Sequence, residues 1–299
     1  MNYKDLIKSR KLRLKILSLL SFIPDKIMIS LQYRIKTGRK INWKNPKRFT
    51  EKIQIYKLEY RTDLMKMCVN KFSVREYVRE CGLEDILIPI VGCYDQSSNI
   101  NYSLLPEQFV AKDTLGGGGG AVLICKDKST LDKKRTNKLF DEWTNSSTSY
   151  RVGGREWPYG GQKHQIIIES MLPSDEAEGG LIDYKFFCTY GKVEFLYVIA
   201  DRKIGVGAGL GIFDSNFKKL KVLRKDESPL KRNINKPKNF EHLKKCAEIL
   251  SEPFPEARID LYSVEGKTYF GEITFFDGSG YMKFEPDVFD FIFGEKFNI

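Results

Sequence analysis

A mixed fold of the α+β or α/β kind follows from three features of this chain. Short runs rich in β-branched and aromatic residues alternate with isolated helical stretches. No segment repeats. The 299 residues, 41% hydrophobic and 30% charged, suffice for one large domain or two to three small ones around a substantial core. This composition excludes disordered, collagen-like and low-complexity architectures. The longest strongly apolar run, 16–23, is broken by Ser18 and Ser21 and falls short of the ~20 residues that cross a bilayer.

The N-terminus carries the charge. Residues 1–48 hold 14 Lys and Arg against Asp5 and Asp25 alone, whereas the remainder holds 36 bases against 37 acids. Lys4, Lys8, Lys11 and Lys15 fall on one helical face, and Leu12, Ile16, Leu19, Leu20 and Ile23 form the stripe opposite. A second apolar segment, 27–35, precedes Lys36, Arg39, Lys40, Lys44, Lys47 and Arg48. A basic amphipathic helix of this type lies in the headgroup region of an anionic membrane, where each cation contributes ~1 kcal/mol. The alternative is a helix packed on its own domain with a solvated lysine face. No small-x-small cleavage site precedes Pro24, and the sequence is read as cytoplasmic. No nucleic-acid-binding module follows the basic arm, so nucleic acid is not the expected partner.

Residues 45–81 have a helical pattern, opened by Pro46 and closed by Gly82. Strands are predicted over 86–91, 109–112 and 121–125, and a helix over 131–143. A polar loop, 145–161, carries Arg151, Arg155 and Trp157. Strands follow over 166–169 and 184–189, the second turning through Tyr190 and Gly191 into 193–200. A helix over 236–250 and two strands around Gly266 complete the reading. The six cysteines are scattered and read as free thiols, and His164 and His242, the only histidines, as structural side chains rather than zinc ligands or triad members.

Two constellations carry chemistry. In the first, the strand-end Lys112 supplies positive charge ahead of Gly116, Gly117, Gly118, Gly119 and Gly120, a loop without side chains whose N–H groups can approach phosphate oxygens. It is neither a Walker A loop nor a dinucleotide fingerprint. The second is a hairpin, 257–262 and 269–276, turning at 265–267. An odd-numbered loop there sets Asp260, Glu272 and Thr274 on one face. Two facing carboxylates repel unless a cation lies between them, and hard oxygen ligands suit Mg²⁺.

Together these resemble the ATP-grasp superfamily. With Asn45-Pro46-Lys47-Arg48-Phe49-Thr50-Glu51-Lys52-Ile53, Lys71-Phe72-Ser73-Val74-Arg75-Glu76-Tyr77-Val78, Gly154-Arg155-Glu156-Trp157-Pro158-Tyr159, Asp183-Tyr184-Lys185-Phe186-Phe187-Cys188 and Phe270-Gly271-Glu272-Ile273-Thr274-Phe275, the chain resembles more closely the TupA-like ATP-grasp family of bacterial surface-polysaccharide gene clusters. The resemblance runs from about residue 25 to the C-terminus. It implies an α+β ATP-grasp fold with a nucleotide cleft between two subdomains. The expected organisation is a basic helical segment 1–44, an N-terminal subdomain 45–105, a lid 106–172 with the glycine loop, and a C-terminal subdomain 173–299 with the metal site.

Residue by residue, the resemblance implies that Lys112 and Lys185 touch the phosphates of ATP and that Gly116 to Gly120 close over them. Glu169, Met171 and Leu172 fall in the strand that reads the adenine edge, with Ser170 where relatives often have a second glutamate. Asp183 falls at the ribose. Asp260 and Glu272 match the magnesium carboxylates, and Thr274 stands where the superfamily usually has asparagine. Arg258 and Arg202 are candidates for neutralising an acyl-phosphate, a surface salt bridge being the rival reading of Arg202. Ser279, Gly280 and Arg155 are candidates for the second substrate. The implied activity is an ADP-forming ligase that uses Mg-ATP to join an amino acid or amine to a carboxylate, a uronic acid of a surface glycan, lipid-linked at the inner face of the cytoplasmic membrane. A glycosyltransferase of capsule or O-antigen synthesis is the alternative, and the absence of an Asp-x-Asp pair counts against it.

Overall fold

A computed structural model describes residues 10–117, 121–146, 149–174, 180–203 and 207–299, without the side chains of residues 10, 11, 13 and 14. Lys4, Lys8 and the side chain of Lys11 from the basic row, and Gly118, Gly119 and Gly120 from the glycine run, lie outside the described residues.

The chain begins with helices α1 (Arg10–Leu19) and α2 (Asp25–Thr37). Met28, Ile29, Gln32, Tyr33 and Thr37 of α2 are buried, and the Tyr33 hydroxyl lies 2.9 Å from Thr50 Oγ1. The second half of the 1–44 segment is therefore packed on the body. Residues 45–81 form three helices instead of one: α3 (Phe49–Glu59), α4 (Asp63–Val69) and α5 (Val74–Glu80). Side chains interrupt them. Thr62 Oγ1 accepts the N–H of Met65 to cap α4, and Asn70 Oδ1 accepts those of Phe72 and Ser73, offering the backbone a turn in place of another helical step.

The smaller sheet has the order β1-β4-β2-β3 and is antiparallel, with β1 (Ile90–Tyr94), β2 (Phe109–Asp113), β3 (Val122–Cys125) and β4 (Ile166–Ser170). Its first strand starts at Ile90, because Glu84–Ile86 forms a 3₁₀ turn where the strand was predicted to begin, and so precedes residue 106. Helix α6 (Lys133–Thr144), capped by the Asp132 carboxylate on the N–H of Arg135, lays Phe140 and Trp143 into the core shared with Phe109, Ala111, Ile166 and Ile168.

The larger sheet has the order β11-β10-β5-β6-β7-β9. Its members are β5 (Asp183–Thr189), β6 (Lys192–Lys203), β7 (Gly207–Asp214), β9 (Ser228–Pro229), β10 (Ala257–Val264) and β11 (Lys267–Thr274). The β5–β6 hairpin turns through Tyr190 and Gly191 at φ 45° and 75°, as the sequence indicates. Helix α7 (Phe240–Ser251) covers one face through Phe240, Leu243, Ala247 and Leu250. A two-stranded ribbon of β8 (Leu223–Arg224) and β12 (Phe284–Glu285) precedes α8 (Val288–Lys296). Helix α8 crosses the start of α3 so closely that a Cβ on Gly294 would lie 2.2 Å from Lys47 O. Buried Asp290 of α8 accepts the N–H and hydroxyl of Thr50 at 3.0 and 2.8 Å, satisfying the first turn of α3.

Candidate functional site

The larger sheet assembles a charged row by register. Asp260 on β10 lies opposite Lys185 on β5 and opposite Glu272 on β11, so three neighbouring strands present lysine, aspartate and glutamate in line on one face. Arg258, two residues back on the same face, lies opposite Thr274. The hairpin achieves this differently from the expectation. Its turn has two residues, Glu265 and Gly266 at φ 52° and 78°, and a two-residue turn alone would pair Asp260 with residue 271. The ladder shifts between Asp260 and Leu261, and the extra residue, Gly271, restores the pairing. A Cβ at Gly271 would meet Asp260 O at 2.9 Å, so the bulge needs glycine.

Arg258 draws the acids together. Its Nη2 lies 2.8 Å from Asp260 Oδ2 and 3.1 Å from both Glu272 Oε1 and Thr274 Oγ1, while Nη1 pairs with Asp277. Lys185 pairs with Asp260, and Arg224 reaches Asp277 Oδ2 at 2.9 Å. Burial lifts the Asp260 carboxyl above its usual range against the pull of Arg258 and Lys185. Burial also pushes Glu272 upward, but the charges of Lys71, Lys185 and Arg258 overcome it and bring its pKa down to about 2. Its side chain is nonetheless 39% solvent-accessible. Glu272 thus carries negative charge toward solvent at neutral pH.

Three expected magnesium ligands converge on one guanidinium nitrogen, so their oxygens share a point that a cation can take. Two carboxylates and a hydroxyl form a hard donor set and fit a divalent ion. Among the described residues no three His, Cys, Asp or Glu side chains form a metal cage, so protein donors alone do not complete a shell.

The smaller sheet supplies the other half. Lys112 Nζ on β2 pairs with Glu169 Oε2 on β4 at 2.6 Å, and Arg75 of α5 approaches Glu169 Oε1 at 3.4 Å. The Glu169 side chain is thereby committed to two cations, and Met171 and Leu172 continue from the strand end. Lys71, to which the sequence reading gives no role, donates to Gly116 O at 2.5 Å, and Glu272, Asp113 and Glu169 all act on its charge. Burial lowers its pKa most, and those acids oppose the shift. It links the glycine loop to the carboxylate row. Gly117 follows it, exposed.

Other assignments change. Asp183 is buried and paired with Arg202, whose side chain is 51% exposed, so Arg202 stands beside the expected ribose acid, where Asp260 also acts on its charge. Arg155 is not available to a substrate. Its side chain has no solvent exposure, and its guanidinium donates to Asp25 Oδ1 at 2.6 Å, Ile23 O at 2.9 Å and Leu20 O at 3.2 Å. The arginine ties the N-terminal segment to the loop before Trp157. Ser279 and Gly280, with Gly278, form a left-handed turn at φ 56°, 67° and 50° immediately after Asp277.

Helix α3 grips that turn through two residues missed in the sequence. Gln54 Nε2 donates to Ser279 O at 3.1 Å and Gly280 O at 2.8 Å. Lys57 Nζ donates to Ser279 O and Gly154 O at 2.9 Å and Gln54 Oε1 at 3.0 Å. Lys57 is fully buried, and burial pulls its pKa down to about 7. Three acceptors take all three protons of an ammonium, and we assign that form. Glu256, whose backbone carbonyl accepts the Tyr56 hydroxyl of α3 at 3.1 Å, is 1% exposed, with neither carboxylate oxygen hydrogen-bonded among the described residues. Burial raises its pKa well above the glutamate range, so the folded chain holds a proton there that the unfolded chain releases near pH ~4.3. Stability is expected to fall as pH rises past that value, and Glu256→Gln to remove this slope and melt higher than wild type at pH 8. Parallel pH profiles of melting temperature for the two proteins would refute the assignment.

A family model described as TupA-like ATPgrasp matches residues 51–298. Among solved structures the chain is similar to D-alanine–D-alanine ligase from Bacillus anthracis at 18% identity, TM-score 0.44, over 70% of this chain and 57% of that one. It is similar to D-alanine–D-alanine ligase from Helicobacter pylori at 15%, TM-score 0.40, over 78% and 62%. It is likewise similar to an L-amino acid ligase from Bacillus licheniformis at 15%, TM-score 0.41, over 71% and 41%. The chain thus spans from about two-fifths to three-fifths of the length of these structures. No curated protein matches it. With the carboxylate row and the lysine-flanked glycine loop in one α+β frame and the family model covering most of the sequence, the chain belongs to the TupA-like ATPgrasp family.

Proposed function

We propose that the chain is an ATP-dependent, ADP-forming ligase that activates a carboxylate and joins it to an amine or amino acid. The observation that carries this reading is the row Lys185–Asp260–Glu272, with Arg258 drawing Asp260, Glu272 and Thr274 to one point. The nucleotide lies in the cleft between the lid, 106–172, and the C-terminal subdomain, 173–299. Lys112, Lys71 and Lys185 hold its phosphates, Met171 and Leu172 the adenine edge, and Asp183 the ribose. Asp260, Glu272 and Thr274 would hold Mg²⁺, which would neutralise phosphate oxygens. A carboxylate oxygen of the substrate takes the γ-phosphoryl group and ADP leaves. The amine then attacks the acyl carbon, phosphate departs, and the amine loses its proton. Arg258 neutralises the charge that develops, and the chain otherwise contributes positioning.

The carboxylate is proposed to be a uronic acid of a surface glycan, lipid-linked and met at the inner face of the cytoplasmic membrane. A phosphate-release screen of uronic acids against amino acids with Mg-ATP tests the reaction. Mg-ATP is expected to raise the melting temperature, by mass action on the native state, and UDP- or GDP-sugars to leave it unchanged. Lys112→Ala is expected to diminish that shift. Stabilisation by a nucleotide-sugar and none by ATP would replace the ligase with a glycosyltransferase.

A further inference from the structure

Helix α2 is apolar on two sides. Its inner side, Met28, Ile29, Gln32, Tyr33 and Thr37, packs on the body. On its outer side Ile27, Leu31 and Ile35, spaced by four, stack in a row and are 61%, 48% and 52% exposed. Leu19 and Phe22, just before α2, add side chains 70% and 76% exposed. One apolar stripe suffices to seat a helix on a domain, and a second in water marks an interaction surface.

The charge around this row names the occupant. Lys26 and Arg34 of the same helix are exposed, as are Lys15 before it and Lys40 after it in the sequence. The first 48 residues contain only two acids, and one of them, Asp25, faces Arg155 at 2.6 Å. A second copy would bring like charges together, whereas an anionic bilayer offers hydrocarbon to the row and headgroups to the cations. We infer that the outer row of α2, with Leu19 and Phe22, is a docking face for an anionic lipid bilayer, the helix lying in the plane of the interface. Across the helix, Gln32 accepts from the Tyr281 hydroxyl at 2.8 Å and donates to Gly153 O at 2.9 Å. The docking face and the turn at Ser279 and Gly280 therefore stand on opposite sides of one helix, ~10 Å thick. The inference rests on the reading of a lipid-linked acceptor only for its purpose.

The test is flotation of the full chain with vesicles of phosphatidylcholine alone and of phosphatidylcholine with three parts in ten phosphatidylglycerol. Deleting residues 1–40 is unsuitable, because it strips the inner face as well. Binding is expected to the anionic vesicles alone, and to weaken as added salt shortens the ~8 Å screening length of physiological solution. The triple variant Ile27→Ser, Leu31→Ser, Ile35→Ser is expected to lose vesicle affinity at least about tenfold, with unchanged melting temperature and unchanged stabilisation by Mg-ATP. Indifference of the wild type to anionic vesicles would overturn the inference, as would equal binding by the triple variant. A dimer that the variant dissolves in sedimentation would also overturn it and assign the face to a second copy. Vesicle binding without any Mg-ATP melting shift would sink the ligase reading and leave the docking face standing.

Discussion

Glu272→Gln is expected to reduce nucleotide turnover by at least about a hundredfold while leaving the fold intact and lowering the melting temperature at neutral pH, since the ionised carboxylate is held by three cations. The amide matches the carboxylate in shape, and the side chain lies at the rim of the site, so packing is preserved. Charge is what changes. Glu272 is ionised at every pH near neutrality because Lys71, Lys185 and Arg258 outweigh its burial. Its loss leaves Asp260 as the single acid of the expected cation site. Phosphate release by the variant in the pairing that serves the wild type reads the effect, and turnover within a few-fold of wild type would remove Glu272 from the site. A companion variant tests the geometry without touching a charged group. Deleting Gly271 makes the ladder regular and leaves Glu272 opposite Asp260, because the two-residue turn pairs Asp260 with whichever residue follows Phe270. Turnover should therefore survive this deletion, in contrast to Glu272→Gln, and its loss would show that the bulge is needed beyond keeping the two acids face to face.

That hairpin shows how far the sequence speaks. Alternation and the facing acids are legible in the order of residues, and they place Asp260 and Glu272 together. The route is not legible, since an odd loop and a two-residue turn with a bulge give the same face, and only the ladder distinguishes them. Lys112 and the glycine run stand out because five consecutive glycines after a strand-end lysine cost entropy without an evident packing reward. Lys71, Gln54 and Lys57 do not stand out. A lysine or glutamine in a helical stretch is normally solvated, and nothing local shows that α3 turns these two inward onto carbonyls more than 90 residues away. Arg155 errs the other way: an arginine in a glycine-rich loop reads as a free cation, until the N-terminal segment folds over it with Asp25 and two backbone carbonyls. The break of 45–81 into three helices was readable in part, from Thr62 and Asn70, whose side chains compete with helical hydrogen bonds.

Arg258→Met is expected to destabilise the fold by about 3 kcal/mol at neutral pH, the lower end of what an uncompensated buried charge costs. The arginine is 8% exposed and touches Asp260, Glu272, Thr274 and Asp277. Its removal leaves Asp260 with Lys185 alone and Asp277 with Arg224 alone, which keeps the loss from being larger. The effect should depend on pH with a definite sign. Burial already raises the Asp260 pKa, and taking away its strongest counter-charge raises it further. An acid whose pKa is higher folded than unfolded weakens the fold as pH climbs above the unfolded value of ~3.9. The gap between variant and wild type should therefore be smallest near pH 4 and widen toward neutrality, as followed by denaturant unfolding across that range. A gap independent of pH would mean that Arg258 acts through packing alone. Arg258→Lys keeps the charge and forfeits the fork that reaches several oxygens at once, so its curve should fall between the other two, with turnover still lost because one ammonium cannot span Asp260 and Asp277 together.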